Sequence, residues 1–379
     1  MRVTYGGISR GEFFSRRLRQ AVAAATVGAA TPMLWPTAAA AHVKWFAPFD
    51  IASPARPFAE TLASQWFWLA VAIAVPLFVM TVAFERTAAG DKVLTTMERL
   101  TAPLWSRADD FVRAATAAFF IAIFVIGGVY LTPDLRTGLE WVSWAQLLIA
   151  AGLFSRRTMW CSAIGILALW GAALNEYQLF HLLDYLVLCL GLAGYLILFS
   201  LEGSSWREQR FAILRWAIAI TLMRSSLEKF AYPEWFDPLA QEKPFLTFGM
   251  PENVFLPMAG VVEFVLGLGL IWTPIVRRLS AIALLVIFNA AVVAFGRLDF
   301  VGHGLITMML VIAAIDPARE MQIAPSFRRA IFGAPIGFIA ALAILAPTYW
   351  NLHSLLHSRA PPTELSVHTG QDIPLVMSK

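Results

Sequence analysis

Residues 63–84 read ASQWFWLAVAIAVPLFVMTVAF, twenty-two positions without one ionisable side chain. Wound as an α-helix, such a run rises about 33 Å, enough to cross a hydrocarbon core about 30 Å thick. Working outward from it, apolar segments recur at about 114–132, 141–154, 158–174, 182–201, 211–230, 254–273, 279–296, 300–315 and 331–350. Lipid is therefore the expected solvent, and the expected fold class is an all-α polytopic membrane protein with about ten transmembrane helices. The whole composition agrees, since 59% of residues are hydrophobic and only 14% are charged. The spans at 141–154 and 158–174 are short, which calls for tilt or a partly re-entrant path.

The net charge is +4, yet the Arg and Lys residues form small groups between apolar runs instead of covering one surface. That pattern argues for topology and against nucleic acid as a partner. Arg86, Lys92, Arg99 and Arg107, then Arg156 and Arg157, Arg207 and Arg210, Arg277 and Arg278, and Arg319, Arg328 and Arg329 all fall on one side of the ten-span order. By the bias of cytoplasmic loops towards positive charge, that side is the cytoplasm of a bacterial-type inner membrane. Both mature termini are then expected in the periplasm.

The N-terminus carries Arg10, Arg16, Arg17 and Arg19, an Ala-rich apolar stretch and the small-residue run Ala38 to Ala41. This is the order of a signal segment over residues 1–41, and cleavage after Ala41 leaves His42 as the new N-terminus. An uncleaved anchor helix is the alternative, with Pro32 and Pro36 against it. The remaining divisions are a periplasmic segment at 42–62, the first span with an amphipathic cytoplasmic link at 63–111, a four-helix unit at 112–201, a second at 202–318, a last span at 319–350 and a periplasmic tail at 351–379. In the link, Leu94, Met97, Leu104 and Trp105 are expected to dip into lipid.

The two four-helix units emerge from self-comparison. Gly152-Leu153-Phe154-Ser155-Arg156-Arg157, an apolar helix, Asn175-Glu176-Tyr177 and His181 recur as Gly269-Leu270 through Arg277-Arg278, an apolar helix, Gly296-Arg297-Leu298 and His303. Upstream, Val129-Tyr130-Leu131-Thr132-Pro133 parallels Ala231-Tyr232-Pro233. Both copies enter in the same orientation, so they are expected to be parallel repeats. Near the counterpart of Glu263 the first copy has only Ser143, Trp144 and Gln146, which suggests a charge-poor scaffold beside a site-bearing unit.

The second copy resembles the DoxX family of four-helix membrane proteins over about residues 210–316. The resemblance lies in Glu228-Lys229-Phe230-Ala231-Tyr232-Pro233-Glu234-Trp235-Phe236, in Gly260-Val261-Val262-Glu263 running to Gly267-Leu268-Gly269-Leu270 and Arg277-Arg278, and in Gly302-His303-Gly304. It implies a four-helix membrane unit and a redox context, because the family includes a quinone-linked thiosulfate oxidoreductase subunit. Fold resemblance by itself assigns no activity.

Ionisable groups in hydrocarbon cost about 2.5–3.5 kcal/mol each on insertion scales, so they are expected inside the bundle with partners. Arg224 and Glu228 lie one turn apart on one helical face, with Lys229 beside them. Glu263 lies deep in its helix, where a carboxylate without a partner would take up a proton. One reading has Arg224 and Glu228 neutralise each other while His303 caps a helix. The other has Glu228, Glu263 and His303 handle protons in a pocket where Arg224, Lys229 and Asn289 orient a polar head group. Quinone is the cofactor that suits such a pocket. Trp235 and Trp272 are expected to be interfacial anchors.

A competing reading is metal handling or small-solute transport. All six histidines fall on the expected periplasmic side, His353 and His357 have the spacing that places two imidazoles on one helical face, and His42 would join an amine to an imidazole in a chelate suited to copper. Solvated tail histidines are the plain alternative. A soluble periplasmic redox or metal-binding protein is the expected partner in either case, and a non-catalytic assembly subunit is the third reading. Cys161 and Cys189 lack the spacing of a redox pair. Phosphate-binding glycine loops, nucleophile elbows and HExxH are absent from the sequence, so soluble enzyme classes gain no support.

Overall fold

A computed structural model describes residues 53–201, 206–319 and 333–357. The expected signal segment, His42 and the tail beyond residue 357 lie outside these residues. The described chain is all-α, with fourteen α-helices and no strand. They are α1 (Phe58–Ala63), α2 (Gln65–Glu85), α3 (Ala88–Trp105), α4 (Ala108–Ile126), α5 (Glu140–Gly152), α6 (Met159–Ala173), α7 (Leu179–Ser200), α8 (Trp206–Ser226), α9 (Glu228–Ala231), α10 (Asp237–Glu242), α11 (Glu252–Gly269), α12 (Pro274–Gly302), α13 (Gly304–Ile315) and α14 (Gly333–His357).

Each of the ten apolar segments falls on a helix, but their ability to cross a bilayer differs. Among the described residues five helices are long and apolar enough, α2, α7, α11, α14 and the first part of α12. A sixth is added if the pair Phe295–Gly302 and Gly304–Ile315, bent by 64°, is one broken span. The expected count of ten is thus not reached on length and composition. The reason is local: α5 and α6 have 13 and 15 residues, about 20 Å of rise, while α4 and α8 begin with charged turns. Helices of this kind depend on neighbours to complete their burial.

The neighbours are arranged in sequence order. In the first unit α4 packs on α5, α5 on α6 and α6 on α7; in the second α8 packs on α11, α11 on α12, α12 on α13 and α13 back on α8. The seam between them is the α7–α8 contact, where Gly191 leaves no room for a side chain, since a Cβ there would lie 2.1 Å from that of Ala217. Helix α2 lies against α11, and α14 covers α2 and α7. The outer faces of α2 and α14 carry exposed Ile73, Leu77, Met80, Ile339 and Ile344, an apolar surface that requires lipid around it.

Glycines set two boundaries. Helix α4 stops at Ile126 instead of 132 because Gly127 and Gly128 both have positive φ. In α12 the helical path is broken at Gly296, with φ 77° and ψ −158°, a backbone region open essentially to glycine alone. The two units also share a detail: a Cβ at Gly152 would meet Ser162 Oγ at 2.3 Å, and one at Gly269 would meet Ser280 Oγ at 2.1 Å.

Several expectations are corrected. Arg277 and Arg278 do not sit in a solvated loop; they lie in the first turns of α12 and are 1% and 0% exposed. On α3, Leu94 faces the bundle and Trp105 packs on Phe211 at 4.6 Å, and of the four residues expected to dip into lipid Leu104 is the strongly exposed one. Trp235 and Trp272 are buried, the first stacked on Tyr232 at 3.9 Å and the second beside Phe78 at 5.5 Å, so neither is an interfacial anchor. These bulky rings fill gaps between helices, which a burial pattern read along the chain does not reveal.

Candidate functional site

Helix α8 ends at Ser226, and the short helix α9 that follows turns Glu228 and Lys229 into the bundle. Gly260, on α11, lies directly under the Phe230 ring, where a Cβ would stand 2.5 Å from it. This close approach of α9 to α11 lets Lys229 Nζ donate to Glu263 Oε2. The two side chains are 17% and 19% exposed, and the ammonium lies 5.4 Å from the centre of the Phe236 ring. The Glu263 carboxylate therefore has a cationic partner inside the bundle.

Arg224 is deeper. Its guanidinium pairs with Asp184 of α7 and lies over the rings of Phe180 and Tyr349 at 5.5 and 5.2 Å. Glu228, 5% exposed, stands within electrostatic range of Arg224 and Tyr349. Besides its electrostatic interaction with Glu228, Arg224 thus has an ion-pair partner across the seam between units, Asp184. Asp184 was legible as an acidic residue inside an apolar helix, but its partner lies 40 residues away in sequence.

His303 joins α12 to α13 and its Nδ1 lies 2.8 Å from Asp299 Oδ1, one helical turn earlier. The pair is buried, with the His303 ring 4.7 Å from that of Phe288. Asn289 does not join any of these groups: it is exposed on α12, and its Nδ2 donates to Leu285 O at 2.7 Å on the same helix. A polar side chain facing outward from an apolar helix satisfies itself on its own backbone, which removes Asn289 from the expected pocket.

The first unit holds a polar group of its own, contrary to the expectation of a charge-poor scaffold. Asp134, in the loop after α4, takes His181 Nε2 at 2.8 Å, accepts from Tyr185 at 2.5 Å and accepts from Thr132. Burial alone would raise its pKa, but hydrogen bonding and charge from His181, with the hydroxyls of Thr132 and Tyr185, outweigh burial and hold the carboxyl below the usual range. Gln146, six residues before Gly152 as Glu263 is six before Gly269, donates to Val129 O at 2.6 Å and Tyr130 O at 3.0 Å. Sequence reading missed Asp134 because a loop aspartate after proline looks like an ordinary turn residue.

Of the expected metal ligands, His353 and His357 share α14. His353 is buried between Phe180, at 5.0 Å, and Tyr232, at 5.5 Å, not held out in solvent. Among the described residues no group of three or more His, Cys, Asp and Glu is placed to hold a metal ion. The segment before α1 closes over this end of the bundle: Arg56 N–H donates to Ala231 O at 2.9 Å, and its side chain pairs with Glu234 at 3.3 Å.

Among the contacts of the described residues, the geometry thus offers the ion pairs Lys229–Glu263 nearer the surface and Arg224–Asp184 within, and the buried His303–Asp299 contact. The family model described as DoxX matches residues 211–297, from the first turns of α8 to the break at Gly296. This stretch contains Arg224, Glu228, Lys229 and Glu263 and stops short of His303. No curated protein and no solved structure matches the chain. With its lipid-facing helices, the protein is a multi-pass integral membrane protein that resembles DoxX over this stretch.

Proposed function

We propose that the protein is a redox-linked subunit of a bacterial inner membrane that binds quinone beside Lys229 and Glu263, with both mature termini in the periplasm and a soluble periplasmic redox partner. The observation that carries this reading is the half-buried Lys229–Glu263 pair, reachable from the bundle surface and bordered by Phe236. A quinone ring fits against apolar and aromatic walls, and its oxygens require a donor and a proton partner. Lys229 supplies the donor and Glu263 the proton acceptor. On this reading Glu228, His303 with Asp299, and Arg224 with Asp184 extend the set of proton-handling and cationic groups. The resemblance of residues 211–297 to DoxX adds the redox context.

On this reading residues 112–201 are a degenerate copy that buttresses the second unit across the α7–α8 seam. The paired Gly152–Ser162 and Gly269–Ser280 approaches, and Gln146 in the register of Glu263, support it. The test is quinone retention by the purified chain in lipid nanodiscs. Glu263→Gln should weaken retention about tenfold, the size of one lost charge-assisted hydrogen bond, whereas the outward-facing Asn289→Ala should leave it unchanged. Equal quinone binding and equal membrane electron transfer in Glu263→Gln and the parent chain would reject the reading.

A further inference from the structure

Elsewhere in the second unit three guanidinium groups gather at one buried aspartate, one on its carboxylate and two on its backbone carbonyl. Arg215 of α8 and Arg277 and Arg278 of α12 are 3%, 1% and 0% exposed. Arg215 pairs with Asp316, just past α13. Arg277 Nη2 donates to the carbonyls of Asp316 and Ala318 at 3.1 and 2.5 Å, and Arg278 Nη2 donates to Asp316 O at 3.1 Å. Carbonyl oxygens carry no net charge, so these contacts do not balance the two arginines of α12.

Two other carboxylates act on these arginines through space, Glu85 on Arg277 and Glu98 on Arg278, without hydrogen-bonding them, and each makes a contact of its own. Glu85 accepts the Ile275 N–H at 2.9 Å in the first turn of α12. Glu98, on α3, is held by Arg319 at 2.8 Å. Three donors remain without a hydrogen-bond partner among the described residues: Arg277 Nε, Arg278 Nε and Arg278 Nη1. Unmet donors on a buried cation are costly, and such groups are normally compensated.

We infer that this cluster binds a phosphate group. Tetrahedral phosphate oxygens accept from several guanidinium forks at once, and the fork geometry of arginine suits them better than the point charge of lysine. The N-terminus of α12 adds the positive end of a helix dipole on the same side. The cluster also sits at a helix end, the depth at which phospholipid head groups lie when α12 spans the bilayer. Helix α3 packs against α12 and α13 beside it, with Leu100 and Leu104 exposed to lipid. The Arg319 contacts to Asp91 and Glu98 pin α3 there, so a phosphate group reaches Arg277 and Arg278 when α3 lifts. The ligand is either a phospholipid head group or free phosphate, since the donors recognise the chemistry both share.

The full chain, purified in phosphorus-free detergent and phosphate-free buffer, is assayed for bound phosphorus and then titrated with phosphatidylglycerol or with inorganic phosphate, with thermal stability as readout. Retained phosphorus that extracts into organic solvent, with stabilisation by phosphatidylglycerol, identifies the lipid. Stabilisation by inorganic phosphate at millimolar levels identifies the free ion. In either arm Arg278→Lys should weaken binding about tenfold, and Arg157→Gln, an exposed arginine, should not. Absence of retained phosphorus together with absence of stabilisation by both ligands overturns the inference, as does equal affinity in Arg278→Lys. Should Arg278→Lys fail to fold, the phosphorus content and titrations of the parent chain still decide.

Discussion

Replacing Glu263 by Gln removes the counter-charge of Lys229 while keeping the side-chain shape. Taking a contact separation of about 3 Å and an effective dielectric of about 20, the gross attraction within the pair is about 5 kcal/mol. The side chains are 17% and 19% exposed, so the surviving ammonium recovers part of its hydration by moving outward. The expected net loss of stability is therefore about 2–3 kcal/mol, between the values for surface pairs and for fully buried ones. Lys229→Met should cost a similar amount, and the double variant less than the sum, with a coupling energy of about 1–2 kcal/mol. The measurement is reversible unfolding of the four proteins in mixed micelles of mild detergent and dodecyl sulfate. A coupling energy within about 0.3 kcal/mol of zero, the usual scatter for independent sites, would mean that α9 does not bring Lys229 to α11 and would refute the geometry on which the site rests.

Two other outcomes follow from the fold. Asp134 has a pKa below the usual carboxylate range in the folded chain, so its stabilising effect is fully present above the unfolded value of about 4 and is lost as pH falls through the folded value. Asp134→Asn should accordingly lower the melting temperature at pH 7 and lose most of that deficit in strong acid; a deficit independent of pH would contradict the His181 and Tyr185 contacts as its source. Gly296→Ala should destabilise by about 1–3 kcal/mol, the cost of a side chain in that backbone region, and an Ala variant with parental stability would show that α12 is not broken there.

The legibility of the site was uneven for a physical reason. Arg224, Glu228, Lys229 and Glu263 stood out because ionisable side chains in apolar runs are expensive and must be accommodated. Their partners were hidden, because Asp184 lies on another unit and Asp299 sits beyond a backbone break whose geometry only three dimensions supply. Asn289 was misjudged, since polarity along a helix does not tell which way the residue faces. The same holds for Trp235 and Trp272: aromatic rings at helix ends suit an interface or a packed seam equally, and only the neighbouring helices decide.

Hydrophobic run length fixed the medium, because backbone polar groups in lipid must be satisfied within helices, and that requirement acts on each segment separately. Residues 63–84 therefore sufficed to establish a membrane helix, and the order of short motifs sufficed to establish the likeness to DoxX over the second unit. Pairing of charges is a relation between segments. The joining of Lys229 to Glu263 through the gap above Gly260, of Arg224 to Asp184 across the α7–α8 seam, and the enclosure of Arg277 and Arg278 inside a helix end followed only from how the helices pack, since electrostatic compensation depends on distances that a one-dimensional pattern does not contain.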